Sequence, residues 1–300
     1  MTLKFASPDM KGRFLDISLP PRNVIPAIEA AGPGEPIFYR AFIGETISLV
    51  YAPAYCENGT LYDALLARPL CAWPDEPAAD ARPPDWQIRF LPTLCPRCGW
   101  DLQGERDVVV LTCRNCDSAW KCAGETLVEV PFTVQTDGAD KTVIHLPFWR
   151  MKPAAAGIAL NSYADLIRLA NLPKAMNPDF ASTPVYFWSP AFKINPALFL
   201  RWSRQMTVYQ PQGRTRDTFA GLSFHPVTLA GGEAEESMKI TLAELIVEKR
   251  RLYPLLTDMR LDAEETLLVY HPFLIGSREL IHKNMQLTLD RTALDYGAYL

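Results

Sequence analysis

Nothing in the 300-residue chain approaches the ~18 consecutive apolar residues of a membrane-spanning helix. The first thirty residues are interrupted by Lys4, Asp9, Lys11, Arg13, Asp16, Arg22 and Glu29, leaving no apolar stretch of roughly 7 to 15 residues to serve as a secretory signal core. Also missing are H-E-x-x-H, G-x-S-x-G, G-x-x-x-x-G-K-S/T and G-x-G-x-x-G, and with them the usual sequence marks of metalloproteases, serine hydrolases, phosphate-binding loops and dinucleotide sites. No helix-turn-helix, RRM or KH signature is visible either. Glycine is sparse at 16, while proline reaches 26, nearly twice its ordinary share. That balance disfavours long helices and favours short strands, turns and extended connections. Apolar residues at 48% and charged residues at 21% exclude a disordered, collagenous or coiled-coil chain. The expectation is a soluble, cytoplasmic protein of one large or two smaller domains, without a membrane span.

Seven cysteines, an odd number with four in two tight pairs, suit a metal site in a reducing compartment better than a disulfide framework. Net charge is only -4, but it is unevenly spread. Between Lys141 and Arg216 ten basic residues face two acidic ones, giving +8 there and -12 elsewhere. Eleven aromatic residues lie in the same segment, among them Trp149, Trp188 and Trp202.

Residues 73–92 carry prolines at 74, 77, 83, 84 and 92 together with Asp75, Glu76 and Asp80, and read as an exposed linker. The remainder reads as α+β with mostly antiparallel pairing. Hairpins are expected where residues 38–43 and 47–51 flank Gly44-Glu45, and where residues 126–135 and 141–148 flank Thr-Asp-Gly-Ala-Asp. Helices are expected from an Asn161 cap to just before Pro173, and over about 233–252; residues after Gly276 alternate weakly and fit a strand or a short helix. Apolar strings ending in x-Pro recur at Pro53, Pro147, Pro190 and Pro272, and Leu61, Leu198 and Leu280 each follow a proline by eight residues. These suggest a repeated strand-proline unit in which the proline marks an edge or a bulge.

The strongest chemical signal is Cys95-Pro-Arg-Cys98-Gly99 followed by Cys113-Arg-Asn-Cys116, a C-x2-C-x14-C-x2-C pattern. Two residues between cysteines let a tight turn aim both thiolates at one ion while backbone N–H groups hydrogen-bond the sulfurs. Two such turns complete a tetrahedral shell. Gly99 permits the positive φ that closes such a turn, and residues 108–112 supply a strand into the second pair. On these residues the segment of about 94–122 resembles a zinc ribbon, with a first knuckle of the rubredoxin type. The resemblance implies a structural Zn2+ held by Cys95, Cys98, Cys113 and Cys116, with iron as the competing metal, and implies no activity. The pattern departs from the family's at residue 117, where Asp117 follows the second pair in place of the usual glycine.

Charges from Cys95 to Cys122 sum to zero, a poor basis for phosphate binding, and Trp100 and Trp120 are expected to pack around the metal site. Cys56, Cys71 and Cys122 are read as buried free thiols. His145, His225 and His271 lie close before prolines, and an acid-base site near His145 and His271 would need a carboxylate brought to them. The domain reading is a β-rich unit over 1–72, the linker over 73–92, the zinc ribbon over 93–123 and an α+β region over 124–300 that shares a core with 1–72. The function that fits is a non-catalytic adaptor or assembly factor with a protein partner or a second copy. Single-stranded nucleic-acid binding through 141–216 is the alternative, and an enzyme at His145 and His271 comes third.

Overall fold

A computed structural model describes residues 39, 41, 43, 44, 52–73, 90–136, 143–247, 249, 253–285 and 287–297. The expected hairpin at 38–51 and most of the proline-rich 73–92 segment lie outside the described residues. The chain divides into two units, one of residues 1–36 and 46–90 and the other of residues 37–45 and 91–300.

In the first unit, β1 (Ala54–Glu57), β2 (Thr60–Asp63) and β3 (Arg68–Ala72) form an antiparallel meander. Gly59, at φ +73°, closes the first turn, and the Asp63 carboxylate caps the second by accepting the Leu65 and Leu66 N–H groups. Cys56 and Cys71 stand opposite Leu61 from either side, in one row across the sheet. Both thiols are exposed, because the two outer strands have no buried face.

The second unit begins with a small antiparallel sheet of β4 (Leu111–Cys113), β5 (Ser118–Ala123) and β6 (Thr126–Val130). It continues through β7 (Phe132–Gln135), β8 (Val143–Ala156), α1 (Tyr163–Leu169), β9 (Phe187–Pro190), α2 (Pro196–Tyr209), β10 (Thr215–Arg216), α3 (Gly231–Leu245), β11 (Arg260–Ile275), β12 (Glu279–His282), β13 (Leu287–Asp290) and α4 (Arg291–Gly297). The large sheet is built on the long β8–β11 ladder, which runs from Arg260 opposite Ala156 to Leu274 opposite Val143. Along its other edge, β11 pairs first with β7 in parallel and then with β12 in antiparallel sense. The mixture is α+β with mostly antiparallel strands. Among the described residues no helix is long and apolar enough to cross a membrane.

Strands β7 and β8 were expected to pair as a hairpin, but β11 lies between them. The long apolar stretches of β8 and β11 bury both faces of their shared ladder, and that non-local burial overrides the local turn signal. Of the three prolines inside this central ladder, Pro153 pairs with Ala263 at the register shift, and Pro272 and Pro147 leave the ladder unbroken in another way. Pro272 pairs with His145, whose backbone N–H and C=O bond Ser223 and His225 on the far side, so the proline nitrogen faces the other edge of β11. There β7 has ended at Tyr270 and β12 has not begun before Leu274. Pro147 faces the β9 side, where its carbonyl accepts the Ala191 N–H while the Ala191 carbonyl turns away to the Thr228 and Leu229 N–H groups. Each of these two imino nitrogens thus occupies a gap between neighbouring strands.

Among the described residues the repeat is not present; the string before Pro53 at 47–51 lies outside them. Pro53 precedes an exposed strand, Pro190 ends a buried one and Pro272 lies in mid-strand. Leu61 is on β2, Leu198 on helix α2 and Leu280 on β12, three unrelated environments. Helix α2 was missed, although Asn195 caps it by accepting the Ala197 N–H and Pro196 occupies its first turn. Helix α1 begins one residue later than expected, on a capping box of Ser162 and Asp165. Helix α3 ends at Leu245, well short of 252. After Gly276 come two strands and a short helix. Aromatic side chains dominate the core, with Phe148, Trp188, Trp202, Phe192, Tyr270 and Phe273 all fully buried.

Candidate metal centre

The first cysteine turn is closed by Gly99 N–H donating to the Cys95 carbonyl, with Gly99 at φ +72°. Cys95 N–H donates to the Trp100 carbonyl, and the turn opens onto a bridge between Leu94 and Asp101. The second pair lies in the β4–β5 hairpin, where Cys113 ends β4 and Ser118 starts β5. A bridge between Gln103 and Thr112 aligns the two turns. Together they bring all four sulfurs within 4.8 Å of one another. The Sγ separation is 3.6 Å for Cys95–Cys116 and 3.5 Å for Cys98–Cys113. A tetrahedral shell with metal–sulfur bonds of ~2.3 Å has edges of ~3.8 Å, so this donor set fits one four-coordinate ion. Cys95 and Cys113 are buried, Cys116 is half-buried and Cys98 is exposed.

The surroundings act in opposite directions on the sulfurs, lowering Cys95 and Cys98 and raising Cys116. Burial raises the Cys95 thiol, but hydrogen bonds from Ser118, from the Cys98 and Arg97 backbone and from Cys116 outweigh it and bring it down to about 6. Asn115 and the Trp100 backbone lower Cys98. Cys116 gains a hydrogen bond from Ser118, yet burial and its three cysteine neighbours push it up to about 12. Crowding of like charges at one site raises a thiol in this way. Ser118 connects the sulfurs to the module's core. Its hydroxyl accepts the Trp120 indole N–H at 2.8 Å, leaving its one proton to be shared between Cys116 Sγ at 3.2 Å and Cys95 Sγ at 3.6 Å. Trp120 packs with Cys95, Leu102 and Cys113, in keeping with its expected packing role. Trp100 does not pack: it is 60% exposed beside the first turn.

Asp117 explains the departure from glycine. It adopts φ +49°, which glycine or a short polar residue tolerates, and its carboxylate accepts the Thr218 hydroxyl at 2.9 Å and the Phe219 N–H at 2.8 Å. Phe219 in turn stacks on Phe132 with ring centroids 4.0 Å apart. The second turn is thereby latched to the core below it, a tie that the spacing alone does not disclose. Across the small sheet, Arg97 on the first turn pairs with Glu129 on β6.

The weaker candidates are dispersed. His145 and His271 occupy opposite faces of the β8–β11 ladder, since His145 stands across from Pro272, the residue after His271. His145 Nδ1 lies 3.2 Å from the Ser223 carbonyl, while His271 is enclosed by Phe148 and Trp188. Burial lowers both, and among the described residues the charged or titratable groups that act on them are Arg216 for His145 and His282, His145 and Arg150 for His271, none of them a carboxylate. Cys122 is exposed, at the point where β5 passes beyond the buried residues 118–120. All three cysteines outside the cluster are therefore surface thiols, contrary to the expectation of burial.

In the basic segment, Lys141 lies outside the described residues. Lys152 pairs with Glu264 and Arg168 with Asp165, while Arg150 lies over Tyr186 and Lys174 over Tyr163. Arg201 and Arg204 are exposed on α2. Trp149, Trp188 and Trp202 are all buried and present no face to a base. Against these dispersed groups the four-cysteine cluster is the one concentration of three or more metal-ligating side chains among the described residues. No family model matches the chain, and neither a curated protein nor a solved structure is similar to it.

Proposed function

We propose that the protein is a non-catalytic adaptor in which a zinc ribbon, held by Cys95, Cys98, Cys113 and Cys116, presents a docking surface to a protein partner. The metal is structural Zn2+: four thiolates from the chain fill a tetrahedron and leave no position for a water or substrate. Zinc would supply the folding free energy that so small a module cannot draw from its own core. The carrying observation is Trp100. A tryptophan left 60% exposed on a turn that the metal makes rigid has the chemistry of an interface anchor, with Arg97 beside it on the same turn.

A photo-crosslinking residue at position 100 of the full-length, metal-loaded protein tests this reading. The expected result is a discrete cross-linked chain, lost when the same protein is stripped of zinc, and a stoichiometric partner or second copy that Trp100→Ala releases on size exclusion. A monomer that cross-links to nothing and retains no chain would overturn the adaptor reading.

A further inference from the structure

Beside the second cysteine turn, a half-open cleft of about 210 Å³ lies between residues 103–114 and residues 224–227, with Tyr270 also lining it. Its apolar lining, Val108, Val110, Pro226 and Val227, is drawn from both sides. The 103–114 side also carries Arg114, exposed and directly after Cys113. Its guanidinium lies 4.8 Å over the Phe224 ring, and among the described residues it makes no ion pair. Stacking engages the face of a guanidinium and leaves its N–H edges free, in the fork geometry that matches a carboxylate. Tyr270, 1% exposed, is the one lining residue that comes from the central strand β11.

We infer that this cleft binds the C-terminal residue of a protein chain, taking its carboxylate on Arg114 and one apolar side chain against Val110 and Val227. The inference rests on the adaptor reading and deepens it by naming the part of the partner that is recognised. Size and shape carry the choice. The volume is that of one large apolar side chain with its carboxylate, below the ~300 Å³ at which sites for whole small molecules begin. The cleft's open side leaves an exit for the preceding residues of a peptide. Glu105, also on the lining, repels a doubly charged phosphate more than a singly charged carboxylate. The free backbone-terminal carboxylate is a recurrent recognition handle for this reason: it is a single, planar, end-specific anion.

The test uses the full-length, zinc-loaded protein and the peptide acetyl-Ala-Ala-Leu as its free acid and as its amide, with binding followed by NMR line broadening and calorimetry. The free acid should bind about 10- to 100-fold more tightly than the amide, the range of one charge-assisted pair. Arg114→Gln should abolish the difference while metal content stays unchanged, and Arg114→Lys should retain part of it. Binding of neither peptide, or equal binding of acid and amide, would overturn the inference. So would equally tight binding by N-acetylleucine alone, which would make the cleft a metabolite site. Cross-linking at position 100 is a separate readout, so this inference can fail while the adaptor reading stands.

Discussion

Replacing Asp117 separates two effects that the structure places in opposition. Asp117→Gly removes the carboxylate that accepts from Thr218 and Phe219 but relieves a backbone held at φ +49°. Charge-assisted hydrogen bonds contribute about 1.5 kcal/mol each at the lower end that suits a half-buried group, so two amount to about 3 kcal/mol. Glycine returns about 1 kcal/mol by removing the left-handed penalty. The net expectation is a loss of about 2 kcal/mol, or a fall in melting temperature of about 4–8 °C for a cooperative unit of this size. Asp117→Ala should lose about 1 kcal/mol more, since it forfeits both the bonds and the relief. Urea denaturation of the zinc-loaded protein, followed by tryptophan fluorescence, measures both variants. If Asp117→Gly were as stable as the parent or more so, the latch would contribute nothing, and glycine would be the better residue after the second cysteine pair.

Three further outcomes follow from other parts of the molecule. Ser118→Ala leaves the Trp120 indole N–H without its acceptor in a buried site and should destabilise the cysteine module by about 1–3 kcal/mol, read as faster zinc loss to a chelator. Burial holds His282 down at about 4 and His271 well below its ordinary value, so both are neutral in the folded chain while the unfolded chain protonates them below about pH 6.5. Stability should therefore be fully present above pH 6.5 and fall toward pH 4, by up to about 1.4 kcal/mol per pH unit for each histidine, and His271→Phe should flatten the urea-midpoint profile; a profile unchanged by that substitution would contradict the assignment. Oligonucleotide binding at low salt should be absent at micromolar concentrations, and Arg201→Ala with Arg204→Ala should leave that result unchanged, because Trp149, Trp188 and Trp202 of the basic segment are in the core. Micromolar binding that weakens with salt and with loss of those two arginines would favour the nucleic-acid reading.

What could be read from the sequence was local in origin. The two cysteine pairs convey their geometry within a few residues each, so the structure brings together the same four side chains that the spacing selects. The α+β character follows likewise from proline-rich, β-branched stretches and a few capped helices. Contacts between distant segments were not legible. The turn signal between β7 and β8 is real chemistry, yet the insertion of β11 is decided by burial between residues more than a hundred apart. Asn195-Pro196 is a helix start written in the sequence, but it was masked by a pattern of strand-proline strings that shares composition and not environment. Asp117 marks the same limit. Its departure from glycine is visible in the sequence, while its reason lies in Thr218 and Phe219, about a hundred residues further along the chain.

The account turns on the metal. Elemental analysis of the full-length protein, purified without chelator or added metal, should give one zinc per chain, with Cys98→Ser and Cys113→Ser each reducing it to near zero and exposing Trp120 to solvent while the main sheet persists. Protein that carries no metal, carries iron in place of zinc, or keeps its zinc when Cys113 is replaced would contradict it.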